Sequence, residues 1–285
     1  MRLINFQIGG RVSCGALGPG GVIDLGARVG NRAQDVLSLL RADLIERARE
    51  SVASARYDYA TQEVRLLNPA GRCTRYFCIG VNYPERNEEY RDGSDKPKYP
   101  SLFMRSHSSF SAPGEPIVRP RESAQLDYEG EIALVIGRGG RRIPQEHALE
   151  HVFGYTCANE GTVRDWLRHA KFNVTQGKNF DRSGSLGPHI ATADEVGADP
   201  LRVITRVNGE VRQDDTSDRM IFPIPYLISY LSRFCTLEPG DLILTGTPSG
   251  AGARLDPPRY LVPGDRVQIE IPRVGVLTSE VIDEL

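Results

Sequence analysis

The sequence predicts a mainly β, α+β protein, because strand-like runs recur along the chain with few long helical patterns between them. The alternation of strand and helix that marks a Rossmann sheet or a TIM barrel is missing. With 285 residues, of which 40% are hydrophobic, the chain can bury a large core. The clearest runs of aliphatic and β-branched residues lie at 76–81, 131–136, 203–208, 241–245 and 266–271.

The first part of the chain predicts a small β-rich unit with one helix. Short strands are expected at 3–6 and 21–25, separated by Gly-Gly and Pro-Gly turns. Between 33 and 50, apolar residues recur with helical spacing, which predicts a single amphipathic helix. Turn-rich sequence follows, and we therefore predict a small N-terminal domain at 1–70 and a larger domain at 71–285.

The larger domain is expected to contain two helices and one long loop besides its strands. The helices are predicted at 144–152 and 223–234. Positions 82–100 are polar, charged and rich in turn residues, as in a mobile loop. Such a loop can act as a lid over a neighbouring site.

Charge and cysteine content argue against several classes of protein. The formal net charge is −2, with 35 basic and 37 acidic residues mixed along the chain, so we expect neither a nucleic-acid partner nor a membrane anchor. No segment approaches the about 18 uninterrupted apolar residues of a membrane span, and a cytoplasmic protein is expected. The 5 cysteines lack CxxC spacing, which disfavours a zinc knuckle or a disulfide framework.

The strongest chemical signal is the segment Asp127-Tyr128-Glu129-Gly130-Glu131. Alternate residues of an extended strand point to one face, so these carboxylates are expected to lie side by side. They lead into a buried apolar strand, where a hard divalent cation can neutralise them. A solvated edge of a sheet is the alternative.

A third ligand is expected from Glu160, which ends a second apolar strand in a short polar turn. Carboxylates with remaining water positions suit Mg²⁺ or Mn²⁺, and the lack of clustered His and Cys argues against Zn²⁺. Arg164 and Asp165, just downstream, predict either a structural ion pair or a substrate contact.

Two further segments indicate an anion-binding pocket. Lys178 lies in a Gly-containing loop, where its ammonium group can balance an anionic substrate, although a surface lysine would give the same pattern. Thr245-Gly246-Thr247-Pro248-Ser249-Gly250 places small and hydroxyl residues at a strand end, where backbone amides can approach a carboxylate. An ordinary Gly-Pro turn is the alternative.

The order of these segments resembles that of the fumarylacetoacetate hydrolase family over roughly residues 70–275. The matching segments are Asn82-Tyr83, Asp-Tyr-Glu-Gly-Glu, Gly-Tyr-Thr, Arg-Asp, Gly-Lys-x-Phe-Asp and Thr-Gly-Thr-Pro-Ser-Gly. The resemblance implies a mixed β-roll catalytic domain with a small N-terminal domain. It also implies a Mg²⁺ or Mn²⁺ ion, a small 2-oxo acid substrate and a homodimer.

The resemblance assigns roles to individual residues. Glu129 and Glu131 match the family's metal-binding Glu-x-Glu pair, and Glu160 falls where the family usually carries a metal-binding aspartate. Lys178 matches the active-site lysine. The residues expected to bind substrate are Tyr83, Arg86, Gln213 and Thr247.

The predicted lid departs from the family pattern. Family hydrolases commonly carry a histidine a few residues after Asn-Tyr and a glutamate three further on, and this dyad activates water. Here Arg86 stands at the histidine position, and Glu89 is retained. A guanidinium stays protonated and cannot be a general base, so Arg86 is expected either to bind a distal carboxylate or to be a solvated arginine. His107 is the histidine best placed to substitute.

The combined hypothesis is a metal-dependent hydrolase that cleaves a carbon–carbon bond of an acylpyruvate, such as fumarylpyruvate or maleylpyruvate, in aromatic or related catabolism. The products would be pyruvate and a carboxylic acid. The expected catalytic residues are Glu89, Lys178 and Arg86. A 2-oxo acid decarboxylase, isomerase or dehydratase with the same metal-stabilised enolate is the alternative enzyme, and a metal-free binding or scaffold protein is the rival from another class.

Overall fold

The fold confirms the predicted α+β class, with 24% of residues helical and 36% in strands. The computed structural model describes residues 1–30, 33–54, 56–71, 73, 75–89, 95–167, 169–170 and 173–285. Positions 90–94 of the predicted lid lie outside these residues. Within the described ranges, no helix is long and apolar enough to cross a membrane.

Most regular structure in the described residues is extended. The strands are β1 (Arg2–Ile8), β2 (Arg11–Gly18), β3 (Gly21–Asp24), β4 (Arg65–Leu67), β5 (Tyr76–Gly80), β6 (Ser101–Met104), β7 (Phe110–Ser111), β8 (Ile117–Arg119), β9 (Leu126–Asp127), β10 (Gly130–Ile136), β11 (Val152–Asn159), β12 (Thr162–Val163), β13 (Gly184–Thr192), β14 (Arg202–Val207), β15 (Glu210–Thr216), β16 (Leu242–Leu244), β17 (Arg266–Ile271) and β18 (Gly275–Asp283).

Helices are short and lie between these strands. The α-helices are α1 (Leu25–Val29), α2 (Val36–Arg41), α3 (Ile45–Ser54), α4 (Pro84–Glu88), α5 (Thr175–Lys178), α6 (Ala193–Val196) and α7 (Ile224–Phe234). Short 3₁₀ helices occur at Thr61–Glu63, His107–Ser109, Gln145–His151, Arg164–Trp166, Ser217–Arg219 and Gly252–Arg254.

Two large sheets enclose the main core. The first has eleven strands in the order β3-β2-β1-β13-β11-β10-β16-β5-β6, with β4 beside β1 and β7 beside β13. The second has the order β15-β14-β17-β18-β8. Ile132 and Leu134 of the first sheet share one buried cluster with Ile269 and Leu277 of the second. The site described below lies beside this core, at the start of β10 and the end of β11.

The N-terminal strands join the first sheet. Strand β1 pairs antiparallel with β13, and Leu3 lies opposite Ile190. The division of the chain at residue 70 stays a prediction.

The helix predicted between 33 and 50 is wrong in one respect, because two helices, α2 and α3, replace it. Asp43 has a φ of 55°, in the left-handed region. Its amide donates to the Leu40 carbonyl at 3.2 Å, and the Leu44 amide donates to the Leu39 carbonyl at 2.9 Å. This pattern is a Schellman motif, which ends α2 and lets α3 start in a new direction.

The other helical predictions have mixed outcomes. The helix predicted at 223–234 is α7. The segment predicted at 144–152 is a 3₁₀ helix, Gln145–His151, which starts after Pro144. Within the predicted loop at 82–100, residues Pro84–Glu88 form the short helix α4.

We expect Asp43→Gly to raise the free energy of unfolding by roughly 0.5–1 kcal/mol, because glycine adopts a left-handed conformation without steric cost. Urea denaturation measures the change. Ala42→Gly is the matched control, since Ala42 has an ordinary φ of −89° and should lose stability instead. Equal effects of the two substitutions would contradict the assignment of strain to Asp43.

Candidate metal centre

Three buried glutamates form the centre of the site. One carboxylate oxygen from each of Glu129, Glu131 and Glu160 lies within 4.8 Å of the others. Pairing of β10 with β11 brings them together, because Gly130 lies opposite Asn159 at the ends of the two strands. The Glu160 amide donates to the Glu129 carbonyl at 2.7 Å, which fixes the two backbones beside each other.

Asp127 does not join this cluster, although alternation placed it on the same face. Strand β9 ends at Asp127 and β10 starts at Gly130, so the acidic segment is not one continuous strand. The Asp127 carboxylate accepts hydrogen bonds from the backbone amides of Gly252 and Ala253, each at 2.9 Å. Its role in the structure is to hold that later segment against the site.

Glu129 is surrounded by donors. Arg164 Nη2 lies 2.7 Å from its Oε1, and Arg86 Nη2 lies 3.1 Å from the same oxygen. Thr162 donates to Oε2 at 3.0 Å, and Lys178 Nζ also contacts Oε2. Burial opposes ionisation, but Arg164, Lys178 and Arg86 together hold the pKa of Glu129 well below its ordinary value.

Lys178 is a fixed ammonium group between two of the glutamates. It donates to Glu160 Oε2 at 3.0 Å as well as to Glu129, and its Nζ lies 5.1 Å from the centroid of the Phe103 ring. Burial lowers the pKa of Lys178, but Glu129 and Glu160 outweigh that effect and raise it. The lysine therefore holds its protons and supplies positive charge.

Glu131 has the opposite electrostatic environment. Burial and the neighbouring Glu160 raise its pKa well above the ordinary value, although the Gly246 amide donates to its Oε2 at 2.8 Å. Among the described residues, Glu160 Oε1 has no hydrogen-bond partner. The unpartnered oxygen of Glu160 and the raised pKa of Glu131 fit a site that a hard divalent ion completes. All three glutamates offer the oxygen ligands that Mg²⁺ and Mn²⁺ prefer.

Two arginines of the site escaped the sequence analysis or were misjudged by it. Arg105 is buried behind Glu160, with Nη1 3.9 Å from Glu160 Oε1 and 3.0 Å from the Gly161 carbonyl. No pattern in its polar surroundings indicates this position. Arg164 pairs with Glu129 and, through Nε at 2.8 Å, with Asp127 rather than with Asp165.

Gln213 and Thr247 meet beside the metal-binding segment. Gln213 Nε2 donates to Thr247 Oγ1 at 2.8 Å, and Gln213 Oε1 accepts from the Gly130 amide at 2.9 Å. Thr247 donates to the Gly130 carbonyl at 2.9 Å. Because Gly130 separates Glu129 from Glu131, these contacts bring both predicted substrate-binding residues next to the carboxylates.

Arg86 and Glu89 lie at the same site. Arg86 Nη1 lies 2.7 Å from Glu89 Oε2, and Glu89 Oε1 accepts from the Gly250 amide at 2.7 Å. Arg86 is thus a buried member of the site and not a solvated arginine, since its side chain is 3% exposed. His107, the predicted substitute for the missing histidine, has its Nδ1 3.0 Å from the Tyr76 hydroxyl.

Tyr83 is placed differently from the other predicted substrate-binding residues. It is fully buried in the core between the two sheets, and burial raises the pKa of its hydroxyl. That hydroxyl has no hydrogen-bond partner among the described residues. A substrate contact of Tyr83 stays a prediction.

A family profile and several proteins of known activity match this chain. The profile described as "Fumarylacetoacetate (FAA) hydrolase C-terminal" matches residues 75–282. A mitochondrial oxaloacetate tautomerase of Bos taurus is 37% identical over 297 residues, which cover 99% of this chain and 92% of the bovine protein. The oxaloacetate tautomerase YisK of Bacillus subtilis is 42% identical over 228 residues, which cover 78% of this chain and 75% of YisK.

Solved structures of this family superpose on the whole chain. The fumarylacetoacetate hydrolase of Exiguobacterium antarcticum superposes with a TM-score of 0.83 at 33% identity, and the match covers 100% of both chains. A maleylpyruvate hydrolase of Sphingobium in complex with a manganese(II) ion and pyruvate superposes with a TM-score of 0.81 at 27% identity, again over 100% of both chains.

We expect the affinity for Mn²⁺ to rise with pH, by up to about tenfold per pH unit, until the raised pKa of Glu131 is passed. Below that pKa the carboxyl group holds a proton that the ion must displace, and above it no proton is released. Titration calorimetry across a pH series measures the affinity and the number of protons released.

Glu131→Gln is the matched control for this pH dependence. The amide should remove the pH dependence and weaken Mn²⁺ binding by at least about tenfold. The metal-free variant should keep its stability, because the amide, like the protonated carboxyl group of Glu131, places no charge next to Glu160. An Mn²⁺ affinity of the parent protein that does not change with pH would refute the assignment to Glu131.

Proposed function

This chain belongs to the fumarylacetoacetate hydrolase family, and we propose that it catalyses the metal-dependent keto–enol tautomerisation of a short 2-oxo dicarboxylic acid such as oxaloacetate. Its similarity to two oxaloacetate tautomerases, at 37% and 42% identity, supports this reaction. The carbon–carbon bond hydrolysis expected from the sequence becomes the second candidate.

The presence of Arg86 at this position is the observation that favours tautomerisation over hydrolysis. Hydrolysis needs a group that activates water, and the family's histidine is replaced here by a guanidinium that stays protonated. The remaining partner, Glu89, has one oxygen bound by Arg86 and the other by the Gly250 amide. Tautomerisation moves a proton between C3 and the 2-oxygen and needs no attacking water, so this site suits it better.

The carboxylates Glu129, Glu131 and Glu160 would hold the Mg²⁺ or Mn²⁺ ion. Such an ion, when bound, acts as a Lewis acid toward a 2-oxo carbonyl and favours the enol form. Lys178, which keeps its protons, is proposed to stabilise negative charge on the substrate oxygens.

Substrate orientation would come from residues that lie next to the cluster. Thr247 and Gln213 are proposed to hold the 2-oxo carboxylate, and the backbone amides around Gly246 lie in the same turn. Arg86 is proposed to bind the distal carboxylate.

The charge of the site supports an anionic substrate with two carboxylates. The basic groups of the site are Arg86, Arg105, Arg164 and Lys178, and the acidic groups are Glu89, Asp127, Glu129, Glu131 and Glu160. These charges nearly cancel, so one divalent ion would make the site positive. A positive, buried site attracts a dianion.

Acylpyruvate hydrolysis is kept as the second candidate because the Sphingobium maleylpyruvate hydrolase, solved with manganese(II) and pyruvate, shares the fold over the whole chain. In that reaction Glu89 would have to leave Arg86 to act as a base. Homodimer formation and a cytoplasmic location remain proposals.

With Mn²⁺ present, the protein should accelerate the decay of the oxaloacetate enol absorbance, and a chelator should abolish the effect, because the carboxylate cluster needs its ion. Stopped-flow spectroscopy with the uncatalysed rate subtracted tests this. Fumarylpyruvate and maleylpyruvate should release no pyruvate. Metal-dependent pyruvate release without enol conversion would favour the hydrolase instead.

Lys178→Met should lower turnover by about 10²–10³-fold, because it removes a charge aimed at the developing oxyanion. Its Mn²⁺ affinity should stay equal or increase, since a cation next to two ligands is lost. Kinetics and calorimetry measure the two quantities, with Lys98→Met as an exposed control. A parallel loss of Mn²⁺ affinity and turnover would make Lys178 a support for the ligands only.

A further inference from the structure

We propose that Arg86 sets the length of the substrate, so that the site selects a four-carbon 2-oxo dicarboxylate over monoacids and over longer diacids. The inference rests on the proposed function, because it assumes that the 2-oxo end of the substrate binds at the carboxylate cluster. It adds a specificity-determining residue and makes Glu89 a positioning residue.

The distance between Arg86 and the cluster limits the substrate length. Arg86 Nη2 lies 3.1 Å from Glu129 Oε1, an oxygen that Arg164 also contacts at 2.7 Å. The guanidinium is therefore next to the groups that would hold the reacting end. A carboxylate separated from the 2-oxo carbon by one methylene reaches it, whereas the distal carboxylate of a seven-carbon acylpyruvate lies three carbons further along.

Glu89 fixes the guanidinium at this distance. Its Oε2 lies 2.7 Å from Arg86 Nη1, and its Oε1 accepts from the Gly250 amide at 2.7 Å. A longer substrate could be accommodated only if Arg86 moved away from the cluster and broke this chain of contacts. The bound carboxylate of Glu89 thus orients Arg86 and does not act as a base.

The start of α4 is anchored as firmly as its end. Asn82 is fully buried, and its side chain donates to the Thr245 carbonyl at 2.7 Å and accepts from the Phe222 amide at 2.7 Å. On the outer side of the helix, Glu85 pairs with Arg219. These contacts hold helix α4 on both sides of Arg86, so the backbone of Arg86 has little freedom to move away from the cluster.

Because Arg86 is buried, its position near the cluster should make the site discriminate between diacids and monoacids. Its side chain is 3% exposed, so a bound monoacid would set a methyl group against a desolvated cation. A diacid gains a charge-assisted hydrogen bond to this buried cation in addition to the contacts of Arg86 with Glu89 and Glu129, whereas a monoacid gains none. The difference in affinity between the diacid and the monoacid should therefore be larger than a difference in apolar contact alone would give.

The test compares three acids that differ only at the distal end. Oxaloacetate has the four-carbon dicarboxylate, 2-oxobutanoate replaces its distal carboxylate by a methyl group, and 2-oxoglutarate adds one methylene. Their affinities for the Mn²⁺-loaded protein are measured by competition calorimetry against oxalate, which has no distal group. Exchange of C3 hydrogens with solvent deuterium is followed separately by NMR.

For the parent protein, we expect oxaloacetate to bind at least about tenfold more tightly than either other acid. Arg86→Gln should weaken the binding of oxaloacetate by about tenfold to a hundredfold. It should leave the affinities for 2-oxobutanoate and oxalate within about twofold of those of the parent protein. Arg86→Lys, which keeps the charge, should recover part of the preference. Arg121→Gln, at an exposed arginine outside the site, should change none of these affinities.

The outcomes separate this inference from the proposed reaction. Equal affinities of the three acids for the parent protein, or an equal loss for all ligands including oxalate in Arg86→Gln, would overturn the length selection even if exchange is fast. A clear preference for oxaloacetate that Arg86→Gln removes would support it even if no exchange occurs, and only the proposed tautomerisation would then fail.

Discussion

The ionised, fully buried carboxylate of Glu129 is the group on which the rest of the site depends. A buried charge is tolerated only when it is paired and hydrogen-bonded. The donors to Glu129 come from three separate parts of the chain, which are α4, β12 with the 3₁₀ helix that follows it, and α5. These three parts of the chain are therefore held together by one side chain. Loss of Arg86, Arg164 or Lys178 would leave this buried charge with two cations instead of three.

The cluster distributes its charge unequally among three similar residues. Glu129 faces three cations, so its pKa falls, whereas Glu131 faces Glu160 across a buried space, so its pKa rises. Glu129 is therefore a carboxylate that could bind an ion directly, whereas Glu131 would first have to lose a proton. Ion binding and proton release become coupled through this difference, and Arg105 behind Glu160 adds a fixed positive charge that the ion does not displace.

Local patterns in the sequence were sufficient for features that depend on neighbouring residues. Alternating acids before a buried strand led to Glu129 and Glu131, and a polar turn after a second strand led to Glu160. The same alternation wrongly included Asp127, because the extended segment is interrupted between β9 and β10. Periodicity did not reveal the break at Asp43, since a left-handed residue in a Schellman motif interrupts a helix without changing its apolar spacing. Arg105 could not be found at all, because its burial depends on segments far away in the chain.

Position 86 in α4 departs from the pattern that the rest of the sequence shares with the family, whereas the carboxylate cluster follows it. In the proposed reaction the carboxylates, Lys178 and the Thr247 turn would bind the 2-oxo end of the substrate, and this role would be the same in tautomerisation and in hydrolysis. The residue at position 86 would distinguish between the two reactions. A neutral imidazole there could take a proton from water, whereas a guanidinium cannot, and Arg86 is proposed to bind the distal carboxylate instead. If Arg86 binds the distal carboxylate as proposed, the reaction and the preferred substrate both depend on the group that contacts Glu129 from α4.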